Sequence, residues 1–219
     1  MEYFVSQAHE QVFSLLALFL SILIVLSCLH LRMRLLEWVK QHVVMRTLTA
    51  DRRLQELLVE IRVKMVADRV SIYLFHNGEH YINGNSILRL SGAYESLAPG
   101  ISNYKEYSQN ILVSTIPEAV AFLCDLAVSR EVCYQETQEL PTCYYRAVLE
   151  TQGVRAVAKY PLFCNGHIIG FVCADFVQSP GSRQEMEEIR KVAPQLELQL
   201  ESRGCGWFRK LLSKLVGGV

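Results

Sequence analysis

The sequence predicts an α+β protein: an N-terminal transmembrane helix and stalk, then an antiparallel sheet flanked by helices. Three observations predict it. From Gln11 to Leu31 there is no Asp, Glu, Lys or Arg. Two apolar, β-branched stretches, Val154 to Phe163 and His167 to Val177, are joined through Cys164-Asn165-Gly166, and Asn-Gly between apolar runs is the strongest short-range hairpin signal. Leucines at helical spacing precede the strands, and a charged segment with an apolar stripe follows them.

The first element is the anchor. After a short tail at residues 1–11, the predicted span covers residues 12–32 with its apolar core from Val12 to Leu29, and about 20 such residues at 1.5 Å rise cross a hydrocarbon core of about 30 Å. The serines within it return their hydroxyls to the helix backbone. A cleaved signal peptide wants a basic start and a small-residue cleavage site; instead the first ten residues carry Glu2 and Glu10 and no Lys or Arg. Downstream, Arg32, Arg34, Lys40, Arg46, Arg52 and Arg53 face only Glu37 and Asp51. The positive-inside rule therefore places the N-terminus outside and the remaining chain in the cytoplasm, as a single-pass protein.

Residues 33–66 contain no Pro or Gly and predict a juxtamembrane helix. Trp38 falls about two turns past the span, at headgroup level. Leu54, Leu57, Leu58, Ile61 and Met65 make an apolar stripe that either pairs with a second copy or packs on the chain's own sheet. Arg46, Arg53 and Glu60 interrupt the heptad seam that pairing requires.

The soluble part follows. Val70 to His76 reads as a strand ending at the turn pair Asn77-Gly78, and Ile87 to Tyr94 as a second strand. Ile116 to Val128 has helical character with Pro117 in its first turn, and residues 143–152 form a short helix that Gly153 can terminate. The hairpin comes next, then a helix over 182–203, with Ser182 and Glu185 as its capping box and Pro194 predicted to kink or interrupt it. Helices around an antiparallel sheet bury the apolar faces of both.

The stretch GVRAVAKYPLFCNGHIIGFVCADF, with Tyr160-Pro161-Leu162 ending one strand, the turn, Ile169-Gly170 in the next strand and a closing helix, resembles the C-terminal half of a GAF domain. The helix before Arg69 and the strand Arg69 to His76 fit the same plan, so the resemblance covers residues 51–203 and the domain proper 67–203. It implies a GAF-like or PAS-like sensor fold, whose loops cover one sheet face and hold a small ligand there, or which simply dimerises. On that plan the candidate ligand-binding residues are His76, Asn77 and Glu79 after the first strand, Tyr94 and Glu95 at the end of the second, and Tyr104 and Tyr107 in the loop beyond. The simpler reading of His76-Asn77-Gly78 is turn chemistry.

Composition excludes several activities. The formal net charge is +0, so no basic field points to nucleic acid. Seven cysteines occur without a CxxC pair or zinc spacing, which suits free thiols in a reducing compartment and gives no metal site. No catalytic triad, HExxH, Walker loop or GxGxxG appears, nor a cyclic-nucleotide signature or bilin-attachment motif. The expectation is no catalytic residue, no metal and no cofactor. An enzymatic alternative, the GAF-type thiol reductase, would draw on Cys124, Cys133 or Cys143, with Arg130 and Arg146 as possible activating neighbours. Cys28 and Cys173 read as small apolar fillers.

The last residues, 204–219, place Trp207, Phe208 and Leu211 on one helical face and Arg209, Lys210 and Lys214 on the other. That pattern predicts a helix lying in the headgroup region, with docking into a groove of the domain as the alternative. Together these readings describe a non-enzymatic, membrane-anchored, GAF-like sensor or scaffold. Its partners would be membrane lipid, a protein partner or a second copy of itself, and an unidentified small ligand. The alternative from another class is a holin-type lysis protein, with a single span and a globular regulatory domain placed outside.

Overall fold

The computed structural model describes residues 2–80, 86–178, 181 and 183–203. The chain divides into two units, Met1–Leu48 and Thr49–Val219. Helix α1, Glu2–Lys64, runs through both. With no Gly or Pro anywhere in it, nothing stops helix propagation, and residues expected as an N-terminal tail are already helical from Glu2. In the first unit Leu18 to Leu31 expose apolar side chains to the surroundings, and α1 holds a segment long and apolar enough to cross a membrane. Trp38 is exposed there and stacks on His42 with ring centroids 4.9 Å apart.

In the second unit α1 ends in a left-handed residue, Val66 at φ 51°, and the Ala67 amide reaches back to the Arg62 carbonyl at 3.0 Å. That bond closes a Schellman-type terminus. Strands β1 (Arg69–His80), β2 (Ser86–Leu97), β3 (Ile111–Leu112), β4 (Cys133–Glu136), β5 (Ala156–Cys164) and β6 (His167–Phe176) form one sheet in the order β3-β2-β1-β6-β5-β4. Every pairing is antiparallel. Helices α2 (Pro117–Ser129) and α3 (Tyr144–Thr151) lie in the connections, and α4 (Arg183–Arg203) closes the described chain.

The stripe Leu54, Leu57, Leu58, Ile61 and Met65 is fully buried in one core with Ile189, Val192 and Leu196 of α4 and with Ile72, Val172 and Ala174 of the sheet. Of the two occupants the sequence left open, the stripe's partner is the domain's own sheet. Intervening residues of the same strands, Phe171 and Cys173, face the other way and join Leu123, Leu126 and Leu149 of α2 and α3 in a second core. The period of 2 along a strand separates these two faces.

Two glycines record close backbone approaches. A Cβ on Gly170 would lie 2.0 Å from the Tyr73 carbonyl oxygen of the neighbouring strand. One on Gly92 would lie 2.5 Å from the Ser108 hydroxyl, because loop 98–110 folds onto β2 there, with the Gly92 amide donating to the Ser108 carbonyl at 2.8 Å. The β5–β6 hairpin turns through Asn165 and Gly166, both at positive φ, as a two-residue turn of this kind demands.

The other Asn-Gly pair behaves differently. Asn77-Gly78 does not end β1: the strand continues to His80, Asn77 pairs with Leu88 and His80 with Ser86. The register shift between those pairs absorbs the glycine inside the ladder. Pro194 sits in α4 without ending it; its position is exposed, so water can satisfy the carbonyl it leaves unbonded. The short edge strands β3 and β4 carry too few residues for alternation to show in sequence. The capping pair fell on Ser182, outside the described residues, and Glu185, whose side chain is also outside them.

Candidate ligand cavity

On the sheet face away from α1 and α4 lies a cavity of about 410 Å³. Its floor is β1, β5 and β6, which present Tyr73, Lys159, Phe171, Cys173 and Asp175. Its walls come from α2 through Leu123, from α3 through Tyr144, Tyr145, Val148 and Leu149, and from loop 98–110 through Tyr104, Tyr107 and Ser108. A second cavity of about 700 Å³ shares Tyr104, Tyr107, Tyr144, Val148 and Gln152 with it. The mixture of apolar walls and few polar groups is that of a small-molecule site.

Cross-strand register explains the floor. Cys133 on β4 pairs with Lys159 on β5, Lys159 with Cys173 on β6, Cys173 with Ser71 on β1, and Ser71 with Glu95 on β2. Directly opposed residues share a face, so this row of polar side chains crosses the sheet beneath the cavity. Burial pushes the Lys159 ammonium down from the ordinary lysine value. Its Nζ lies 4.3 Å from the Tyr145 ring centroid and 5.9 Å from that of Phe171, a cation–π arrangement that offsets part of the desolvation. Burial raises the Tyr73 and Tyr145 hydroxyls and the Cys173 thiol well above their usual values, so all three stay protonated at neutral pH.

At one end of the floor Arg69 and Asp175 form a buried ion pair, Nε to Oδ2 2.6 Å. Arg69 also donates to the Gln152 Oε1 at 2.6 Å and lies over the Tyr104 ring at 5.3 Å. The Cys173 thiol donates to the other Asp175 oxygen at 3.1 Å. Burial works against the Arg69 charge, but Asp175 outweighs it and raises the guanidinium pKa. Glu95, pushed up by burial, accepts from the Tyr104 amide at 3.3 Å. These contacts tie β1, β2, α3 and the 98–110 loop into one wall.

The residues named from sequence separate along these lines. Tyr104 and Tyr107 line both cavities, and Glu95 holds Tyr104 from behind. Tyr94 faces the opposite core, where its hydroxyl donates to Asp51 Oδ1 of α1 at 2.5 Å. His76 and Asn77 are exposed on β1, with His76 Nε2 2.9 Å from the Ser91 hydroxyl, and neither reaches the cavity. Glu79 lies on β1, its side chain outside the described residues. Trp207, Phe208, Arg209, Lys210, Leu211 and Lys214 also fall outside them. Sequence reading missed Lys159, Asp175 and Arg69. A lysine and an aspartate inside otherwise apolar strands were the available signal.

The thiols are likewise dispersed. Cys124 is exposed on α2 and Cys143 caps α3, accepting the Arg146 amide at 3.4 Å. Cys133 is half-buried on β4, and burial raises its pKa. Cys173, expected as a filler, carries the hydrogen bond to Asp175. Among the described residues no group of His, Cys, Asp and Glu could hold a metal ion.

An antiparallel sheet with a helix pair behind it and a roofed cavity in front defines a pocket-bearing α+β module. The family model described as GAF domain matches residues 49–200, and the chain belongs to the GAF domain family. The match begins inside α1, where the buried stripe begins. Solved structures agree on the fold. The blue-light absorbing form of the PixJ GAF domain from Thermosynechococcus elongatus is 18% identical at TM-score 0.53, covering 80% of this chain and 96% of that one. The phycoerythrobilin-bound GAF domain from a cyanobacterial phytochrome is 18% identical at TM-score 0.54, covering 76% and 95%. A phycocyanobilin-bound GAF domain, also from a cyanobacterial phytochrome, is 18% identical at TM-score 0.53, covering 75% and 92%. A search of curated proteins returns no match.

Proposed function

We propose that this protein is a non-enzymatic, membrane-anchored GAF sensor that binds a small organic molecule between its sheet and α2–α3 and reports occupancy to a protein partner. The observation that carries the reading is the cavity itself, walled by a loop and a short helix that the Arg69 network joins to the sheet. Strand β2 offers the route outward. Glu95 faces the loop, while its neighbours Tyr94 and Ser96 bond Asp51 and Arg62 of α1, the latter pair at 3.2 Å. Movement of the loop therefore bears on the helix that leads to the anchor.

The exposed apolar run before Arg32 supports a span, and the basic residues after it favour a cytoplasmic domain. Against a thiol reductase, its candidate thiols lie on separate elements: Cys124 is exposed on α2, Cys133 is half-buried on β4 with its pKa raised by burial, and Cys143 caps α3. Bilins are named for two of the structural neighbours, and at these identities the likeness extends to the fold.

The test uses the full chain. Carbonate washing of membranes should leave it in the pellet, and a reporter fused to the C-terminus should score as cytoplasmic. Release by carbonate would overturn the anchor, and an external reporter would favour the holin-type reading. A thermal-shift screen of small organic molecules should find stabilisers for the wild-type chain that are silent on Val148→Trp, which fills the cavity. Equal response of both proteins would sink the cavity as the site.

A further inference from the structure

We propose that the two cavities are one bipartite site for a neutral amphiphile, with a compact aromatic head against Leu90, Leu123 and Phe171 of the inner cavity and a hydroxyl-bearing tail in the outer one, between α3 and loop 98–110. This rests on the inner cavity being the ligand site and adds the outer subsite, the ligand's charge and its chemical class.

The junction between the cavities leads there. Tyr104, Tyr107, Tyr144, Val148 and Gln152 line both, the inner of about 410 Å³ and the outer of about 700 Å³. A molecule seated in the inner cavity therefore meets the outer one past the same side chains. Gln152 stands at this junction: its oxygen accepts from Arg69 at 2.6 Å, and its side chain bonds the Tyr104 hydroxyl. The inner lining is mostly hydrocarbon and rings, which supply affinity by area. The outer lining changes character, drawing on Ser102, Asn103, Thr151 and Gln152. The Asn103 oxygen accepts from the Lys105 amide at 2.8 Å, so its NH2 group is the donor it presents. The Thr151 hydroxyl donates to the Ala147 carbonyl at 2.8 Å, so its oxygen is an acceptor. A ligand hydroxyl, donor and acceptor at once, answers both. Tyr107 and Tyr144 are 77% and 71% exposed at the same junction, flat apolar faces that a bound molecule covers.

Charge favours a neutral ligand. Among the described residues, the charged side chains lining the two cavities are Arg69, Lys159 and Asp175, and each is already engaged. Arg69 holds Asp175 at 2.6 Å and lies 4.0 Å from Glu95. Asp175 takes the Cys173 thiol on its other oxygen. The Lys159 ammonium lies over the rings of Tyr145 and Phe171. An ionic ligand would have to break one of these contacts or be buried without a counter-charge, and both are costly. A neutral molecule leaves all of them in place.

The experiment separates head, tail and charge. The full chain in nanodiscs is titrated calorimetrically with 2-naphthol, 2-naphthyl β-glucoside and 2-naphthyl β-glucuronide, against empty nanodiscs. The glucoside should bind about tenfold tighter than 2-naphthol, the gain expected of added hydrogen bonds. The glucuronide, which carries a carboxylate where the glucoside has a hydroxymethyl group, should bind no tighter than 2-naphthol. Ala147 and Thr151 lie one turn apart on α3 and line the outer cavity. Ala147→Trp and Thr151→Phe should each bring the glucoside to the level of 2-naphthol and leave 2-naphthol unchanged. Val148→Trp should abolish binding of all three. Glucoside equal to 2-naphthol in the wild type, with both lost in Val148→Trp, would overturn the outer subsite and leave the inner cavity standing as a site. A glucoside preference that survives both outer variants would overturn the placement of the tail. Glucuronide as tight as glucoside would overturn the neutral ligand. Binding that survives Val148→Trp would overturn the cavity and the proposal together. Failure of every probe to bind would overturn the ligand class.

Discussion

Replacing Arg69 with Met should unfold the GAF domain far more easily than its position at the start of a strand suggests. Arg69 and Asp175 expose 4% and 7% of their side chains, so the variant leaves a carboxylate in the interior without its counter-charge. Removing one partner of a buried ion pair costs about 3–5 kcal/mol. The lost bond to Gln152 and the lost cation–π contact with Tyr104 add to it, each on the order of 1 kcal/mol. At about 2–4 °C per kcal/mol for a chain of this size, the midpoint should fall by roughly 10 °C or more. Cys173 supplies the readout: it is buried at 5% exposure, so its labelling by a thiol reagent, followed by mass spectrometry of its own peptide, tracks opening of the sheet. The double variant Arg69→Met/Asp175→Leu should recover most of the loss, because an apolar pair of similar volume replaces a desolvated ionic one. A drop below about 2 °C in the single variant, or a double variant no better than the single, would refute the reasoning.

Three further outcomes follow from local geometry. Val66 is a β-branched residue at φ 51° with an exposed side chain, so Val66→Gly should raise stability by about 1 kcal/mol, read in the same labelling melt. Gly170→Ala should be the most damaging single methyl in the sheet, since its Cβ would sit 2.0 Å from a backbone oxygen that cannot rotate away; loss of folded protein on expression is expected, and a normal melt would contradict the strand spacing. Burial holds the Lys159 pKa below the ordinary 10.5, so between those two values the unfolded chain binds more protons and the ligand-free protein gains stability as pH rises. Lys159→Met should flatten that rise. A wild-type profile with the opposite slope, or one that Lys159→Met leaves unchanged, would show that the amine is not desolvated.

What was legible in the sequence was whatever depends on neighbours along the chain. The absence of charge from Gln11 to Leu31, the stripe from Leu54 to Met65 and the Asn165-Gly166 turn are local patterns, and local backbone geometry translates each into an element. The GAF resemblance drew on the same local order of strand, turn, strand and helix, and the family match confirmed it. Asn77-Gly78 carries the same two residues as the later turn yet lies within a ladder, because pairing with Leu88 and Ser86 from β2 decides where the strand ends. Tyr94 and Glu95 are consecutive, so a strand sends them to opposite faces; only the packing of α1 against one face shows that Tyr94 reaches Asp51 while Glu95 supports the cavity loop. The Arg69–Asp175 pair and the floor row from Cys133 through Lys159 to Cys173 join residues far apart in the chain. The sequence by itself determined the helices, the four long strands, their order and the apolar segment before them. Tertiary structure alone decided which side chains share the cavity, because strand register and the face each strand turns inward are set by contacts between distant segments.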